Sequence, residues 1–338
     1  MKVLVTGGAG YIGSTVCSAL EAAGIVPIVL DSLVNGREEF VSGRFFAHAD
    51  IGDSHAVKTL LKAHPEIACV IHCAAFIVVP DSVRDPGRYY SENVSKTVTL
   101  LSTLIDCGIE RFIFSSSAAV YANTEVGAVT EASPVAPSSP YARSKLMVEN
   151  ILSDFTTAHR MRAIALRYFN PVGADPELRT GPYLNSPTHA LGKIMSVHEG
   201  REEEFVVAGV DWATRDGSAV RDYIHVWDLA EAHVRAVQSF DNAFFNGETF
   251  RHLNLGTGEG CTVLELVRAF EKVSGRPLPW RAGARRLGDV VGAFANPALA
   301  AKTIGWRAQR SLEDAIRDGL RWNEIKKERL ANERGSKI

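Results

Sequence analysis

Short apolar runs rich in branched residues recur along the first half of the chain: KVLVTG, VPIVLD, RFFAHADI, ACVIHCAA, RFIFSSS and RAIALRYFN. Longer segments of helical character separate them. This alternation predicts parallel strands joined by crossover helices, an α/β fold with a doubly wound sheet over residues 1 to 170. Such a sheet binds ligand at the carboxyl ends of its strands. After Asn170 the pattern changes to Pro- and Gly-rich loops, NPVGADPELRTGPYLNSP, and then to mixed helices and short strands. A smaller, mixed α/β second domain over 171–338 is expected from this change. RHLNLGTG reads as one more strand entering a Gly turn, so the segment around 220–256 is expected to return to the first domain. The charged tail NEIKKERLANERGSKI reads as a solvated helix that frays.

A length of 338 residues suits one large domain or two intimate ones, and the change of pattern favours two. With 46% apolar and 22% charged residues and a net charge of -2, the chain reads as an ordinary globular protein, not a basic nucleic-acid binder. No stretch reaches the roughly 18 apolar residues of a spanning helix, so no membrane partner is expected. The N-terminus reads as a strand instead of a signal peptide, so a cytoplasmic location is expected. Cys17, Cys69, Cys73, Cys107 and Cys261 form no CxxC pair and argue against a disulfide framework. Cys69 and Cys73 read as small buried hydrophobes. The histidines show no HExxH spacing, so no metal site is expected.

The first strand leads into Gly7-Gly8-Ala9-Gly10-Tyr11-Ile12-Gly13 and then a helix, STVCSALEAAG. Glycines at 7, 10 and 13 let backbone approach a pyrophosphate at a helix N-terminus, where free N–H groups and the dipole favour anions. Asp31 ends the second strand, where a carboxylate accepts from a ribose diol and repels a 2'-phosphate. Strand, glycine turn, helix and acid together indicate a Rossmann-type site for NAD rather than NADP. Arg37 follows the Asn35-Gly36 turn and reads as a surface charge. Asp50-Ile51 after the third strand either faces the adenine or forms a turn.

In SPYARSKLMVENILSDF, Tyr141 and Lys145 stand at i and i+4 of a predicted helix and share one face. A phenol with a pKa near 10 is a poor base at neutral pH, but an adjacent ammonium and a positive nicotinamide favour the phenolate. Ser115 to Ser117 follow the strand RFIF at the same end of the sheet and supply a hydroxyl to orient a substrate oxygen. The spacing by itself is equally that of a packed tyrosine and a solvated lysine.

The glycine spacing, Asp31, the serine run and YxxxK, in this order, resemble the extended nucleotide-sugar branch of the short-chain dehydrogenase/reductase superfamily. VLVTGGAGYIGS, FIFSSSAAVYA, SPYARSKLMVE, LRYFNPVGA, VRDYIHVWDLAEAH, NLGTG and RRLGD are similar to motifs of the UDP-glucose (UDP-galactose) 4-epimerases and span nearly the whole chain. The resemblance implies NAD-dependent inversion at C4 of a UDP-hexose through a transient 4-keto sugar. It implies Ser117 on the sugar O4, Tyr141 as base, and Lys145 tuning it and binding nicotinamide ribose. Gly7, Gly10, Tyr11, Ile12, Gly13, Asp31, Asn35, Asp50, Ile51 and Asn93 fall on cofactor or active-site positions, and Ala74 and Ala75 line the NAD. Asn170, Arg221, Arg286 and Asp289 fall where the family holds UDP, and arginine forks suit phosphates as carboxylates suit diols. His189 aligns near the nucleotide or is a surface histidine. A homodimer through helices of the first domain is also implied.

Departures narrow the reading. The family's NVxGT is Asn93-Val94-Ser95-Lys96-Thr97 here, a glycine replaced by lysine, and the lysine or polar residue frequent after HxAG is replaced by Ile77 and Val78. Ala293 stands where a tyrosine restricts the sugar pocket, so either N-acetylated UDP-sugars fit or the alanine only packs. The acids that sugar-nucleotide 4,6-dehydratases carry after their serine are replaced by Ala118-Ala119-Val120, which argues against dehydration. UDP-glucuronate 4-epimerases, decarboxylases and 3,5-epimerase/reductases remain alternatives. A non-catalytic nucleotide sensor would ordinarily lack the serine, tyrosine or lysine kept here.

Overall fold

The computed structural model describes residues 1–122, 127–184, 187–285 and 291–335, with side chains through Lys326. The apolar runs form β1 Lys2–Thr6, β2 Val26–Asp31, β3 Phe45–His48, β4 Ile67–His72, β5 Arg111–Ser115 and β6 Arg162–Tyr168. The late strand β7, Phe250–Leu255, joins the edge beside β6, with Leu255 opposite Tyr168. The seven strands run in the order β3-β2-β1-β4-β5-β6-β7, and every pairing is parallel. Strand order reverses beside β1, which opens a crevice between the carboxyl ends of β1 and β4.

The longer helices are α1 Tyr11–Ala22, α2 Ser54–Ala63, α3 Lys96–Asp106, α4 Pro140–Ala158, α5 Ala190–His198, α6 Val226–Gln238, α7 Val263–Ser274 and α8 Leu312–Gly335. Side chains alternate across each strand, and both faces of this sheet are covered. Val3, Val5, Val29 and Ile71 pack with residues of α1 and α6 on one face. Leu4, Ile28, Val70 and Phe112 pack with α2, α3 and α4 on the other. A third core draws Leu191, Ile194, Phe205, Leu266, Phe270 and Ile316 together from α5, α7, α8 and the strand Phe205–Ala208. That strand pairs in parallel with Trp280–Gly283. Asn170–Val172 and Tyr223–His225 pair in parallel beyond the end of β6. Among the described residues, no helix is long and apolar enough to cross a membrane.

β4 ends on a buried histidine. His72 Nδ1 lies 2.7 Å from Thr6 Oγ1, and its Nε2 lies 3.0 Å from Thr97 Oγ1. Thr97 donates its own proton to Asn93 O, so its oxygen accepts from Nε2–H. Burial pulls the pKa of His72 down to about 3, and that of buried His233 down to about 4. The unfolded chain protonates both near pH 6.5. Stability contributed by the neutral rings is therefore complete above pH 6.5 and is lost as pH falls toward those folded values. The loss is on the order of 1.4 kcal/mol per pH unit for each ring. Urea midpoints measured from pH 7.5 to 4.5 should fall accordingly, with a shallower fall in His72→Gln.

Candidate active site

The carboxyl ends of the strands open on a cavity of about 810 Å3. Its floor is the turn from Gly7 to Gly13, and Gly10 caps α1 without any side-chain partner. Gly7 has φ +72, and a Cβ there would lie 2.5 Å from Ala74 N. At Gly13 a Cβ would lie 2.2 Å from Gly7 O, a backbone atom with nowhere to go. The glycines therefore keep bare amides at the start of α1, a cradle that fits a diphosphate. Gly13→Ala should force the turn open and weaken dinucleotide binding by roughly 10- to 100-fold, the equivalent of overpacking a tight site. Calorimetric titration with NAD would measure it.

Asp31 is buried against this turn. Its carboxylate accepts from Ala9 N at 3.0 Å and Leu33 N at 2.8 Å. Those bonds fix the acid at the cavity wall with lone pairs left for a diol. Tyr11 lines the floor beside Ile12 and donates to Gly173 O at 2.6 Å, tying the turn to the loop after β6. Asn35 lines the same end, and its carbonyl accepts from Tyr183. Arg37 is not a free surface charge: it is half-buried, 5.5 Å from the Tyr183 ring centroid, and its Nε has no partner. Asp50 and Ile51 also line the cavity. Asp50 accepts from Gly52 N at 2.8 Å, a turn bond, and from Lys96 at 2.7 Å. Lys96 also bonds Glu92 at 2.7 Å, so the lysine that departs from the family pattern ties the β3 loop to the start of α3.

Tyr141, Lys145 and Ser117 are assembled by α4 and β5. Ser139 accepts from Ala142 N at 3.1 Å and Pro140 opens the first turn, so α4 starts where Tyr141 meets the sheet. Lys145 is buried on the cavity wall, 6.0 Å from the Tyr141 ring centroid, and donates to Ser115 O at 2.8 Å. Burial lowers its pKa to about 8. Burial raises that of Tyr141, and hydrogen bonding with Ser117 pulls it back. Ser117 Oγ accepts from Ala119 N at 3.2 Å. The three groups form one buried set, of which Lys145 lines the cavity floored by the glycine turn, and bound positive charge would shift Tyr141 toward its phenolate.

Ala74 and Ala75 line the cavity, as do Ile77, Val78 and His189. His189 caps α5, accepting from Gly192 N at 3.1 Å. Asn93 is not on the wall. It is buried in a π-helical turn, Ser91–Ser95, accepts from Phe76 N at 2.8 Å and donates to Phe76 O at 2.9 Å. Its amide thus shapes the loop that forms the wall. Asn170 donates through Nδ2 to Asp222 O at 3.1 Å. Arg221 lies beside Gly292, where a Cβ would be 2.9 Å from its guanidinium, and Ala293 follows. Ala293, Ala118 and Phe169 each pack on the cluster of Val120, Tyr121 and Val129, so the chain neighbours of Ser117 and Asn170 share a small core with Ala293. Arg286 and Asp289 lie outside the described residues.

Several residues of the site were not legible as such. Tyr168, the end of β6, lines the cavity although its sequence context reads only as a strand. Cys73 also opens on the cavity instead of lying wholly in the core, and burial pushes its thiol up to about 11. Asp222 is fully buried and accepts from Thr257 N at 2.9 Å and Ala295 N at 3.0 Å, fixing the strand that carries Arg221. Glu149, one turn beyond Lys145, binds both Ser116 and Arg167. Its i+4 spacing from Lys145 was the available signal. Among the described residues no group of His, Cys, Asp or Glu could hold a metal ion.

Residues 3–256 match the model of the NAD dependent epimerase/dehydratase family. The chain belongs to that family. It is 43% identical over 332 residues to a UDP-glucose 4-epimerase of Bacillus subtilis, covering 95% of this chain and 96% of the relative. Its fold matches a UDP-glucose-4-epimerase from Stenotrophomonas maltophila with bound NAD and formylated UDP-arabinopyranose. That match has a TM-score of 0.92 and 39% identity, over 97% of this chain and 99% of the other. A UDP-Glc/GlcNAc 4-epimerase from Campylobacter jejuni matches with a TM-score of 0.82 and 31% identity, over 96% and 99%. This member of the family thus shares its architecture with epimerases along almost its whole length.

Proposed function

We propose that the protein catalyses NAD-dependent C4 epimerisation of a UDP-hexose, interconverting UDP-glucose and UDP-galactose. The observation that carries this is the buried Tyr141–Ser117–Lys145 set, joined through Lys145 to the cavity whose floor is a glycine cradle that fits a dinucleotide. When bound, NAD supplies the redox chemistry, taking up and returning a hydride at the sugar C4. Tyr141 removes the proton from the C4 hydroxyl and returns it to the same oxygen at the end of the cycle. Ser117 orients that oxygen. The Lys145 ammonium favours the phenolate and steadies the nicotinamide ribose, Asp31 the adenosine ribose. Gly7, Gly10 and Gly13 give the diphosphate its amides, and Ala74, Ala75, Asp50 and Ile51 close the wall.

Asn170, Arg221 and His189, with Arg286 and Asp289, hold the UDP, so that the sugar is gripped mainly through its phosphates. A 4-keto sugar held this way can turn and present its other face. On this reading residues 1–170 and the returning 220–256 segment carry the cofactor, and 171–338 carry mainly the UDP-sugar. The protein works as a cytoplasmic homodimer, an expectation supported by the sequence resemblance; sedimentation of the purified chain tests the dimer.

Incubation with UDP-galactose, followed by NMR of the products, tests the function. UDP-glucose is the expected product. A 4-keto-6-deoxy sugar would identify a dehydratase, and a pentose from UDP-glucuronate a decarboxylase. Ala293 favours a second reading, in which the small side chain leaves room for a 2-acetamido group. UDP-GlcNAc should then be converted too, and its failure at enzyme levels that turn over UDP-galactose would confine the substrate to unsubstituted hexoses.

A further inference from the structure

We infer that Arg88 is the cationic partner of the dinucleotide's diphosphate, replacing the charge that this chain lacks at Ile77 and Val78. The inference rests on the dinucleotide reading above. The glycine turn offers amides but no cation, and the first turn of α1 carries no side-chain cap. A diphosphate bears two negative charges, and a countercharge in a partly enclosed cavity strengthens its hold.

The cations on the cavity wall are mostly engaged. Arg84 is paired with Asp81, and Arg201 is paired with Glu199. Lys145 donates to Ser115 O, and Lys326 to Tyr183 O at 2.9 Å. Arg88 also lines the cavity, on the short helix Pro86–Tyr90, and among the described residues it forms no ion pair. Its guanidinium lies instead 4.3 Å from the centroid of the Phe76 ring.

That ring is a fixed platform. Asn93 bonds both backbone polar groups of Phe76, and Tyr89 packs edge-on at 6.0 Å while donating to Val78 O at 2.7 Å. Phe76 is also close in sequence to Ala74, whose backbone touches Gly7 at the cradle. Stacking orients an arginine plane without consuming its N–H donors, so the fork remains available to phosphate oxygens. The buried Asn93, which has no place on the wall, thereby supports the binding of an anion at one remove.

The test compares holoenzyme with Arg88→Gln, Arg88→Lys and Phe76→Ala. Exchange of bound NAD against labelled NAD should be roughly 10- to 100-fold faster in Arg88→Gln, the loss of a charge-assisted contact. Competition by ADP-ribose and ADP should weaken in parallel, and competition by adenosine should not change. Arg88→Lys and Phe76→Ala should fall between the wild type and Arg88→Gln. Thermal midpoints after removal of NAD should match throughout the Arg88 series, because the side chain is exposed, whereas those of the NAD-loaded proteins should fall in the order of their exchange rates. Wild-type exchange rates in Arg88→Gln, or equal weakening toward adenosine and ADP, would overturn the inference. A wild-type protein that carries and binds no NAD would instead overturn the dinucleotide reading on which it stands.

Discussion

Tyr141→Phe is expected to lower kcat for UDP-galactose by roughly 10²- to 10⁴-fold, the usual contribution of a positioned proton-transfer group. The phenylalanine keeps the ring that packs in this buried place and removes only the hydroxyl, so the fold and bound NAD should be retained. The residual rate should also lose its acid limb, since the group whose deprotonation activates the wild type is gone. Lys145 gives the complementary signature. Its ammonium, with a pKa of about 8, is charged below that pH, and in the proposed mechanism that charge favours the phenolate. Lys145→Met removes that help and should move the acid limb of kcat to higher pH, whereas Lys145→Arg should restore part of the shift. Rate profiles from pH 6 to 9 on saturated enzyme would read both effects. Equal kcat in the wild type and Tyr141→Phe would remove the phenol from the chemistry.

Glu149→Ala is expected to cost about 3–5 kcal/mol of unfolding free energy. Glu149 and Arg167 are each nearly inaccessible, and the guanidinium bonds the carboxylate through Nε at 2.9 and 3.2 Å. Removing the acid leaves Arg167 charged and buried, already with one nitrogen unpartnered. Ser116 would lose its acceptor as well, beside the Ser117 on which the proposed chemistry depends. The same substitution should therefore lower kcat more than it raises KM. A double change to leucine and methionine removes both charges and should recover most of the stability, because apolar residues of similar volume replace a buried pair at little cost. Urea unfolding of the single and double variants separates the burial of a lone charge from general damage to α4.

The alternation of apolar runs and helices was sufficient for the parallel sheet, and the glycine spacing was sufficient for its dinucleotide end. Both are local: a strand buried on two faces must be apolar throughout, and only glycine survives where Gly13 meets the Gly7 carbonyl. The positions of Asp31 at a strand end and of Tyr141 and Lys145 on one helix were readable for a similar reason, since each is fixed relative to the element that bears it. The sequence could not show that Asn93 turns away from the cavity to bind the Phe76 backbone, or that Lys96 is drawn to Asp50. It gave no sign that Arg37 folds against Tyr183 or that Arg88 lies on Phe76. Lys96 with Asp50 and Arg37 with Tyr183 join segments brought together by the sheet's strand order, and Asn93 and Arg88 reach Phe76 through the irregular path of the chain between β4 and β5. A side chain's identity and its place on a helix or strand are local properties; its partner is chosen only when the chain has folded, by the strand order or by the path of a long connection.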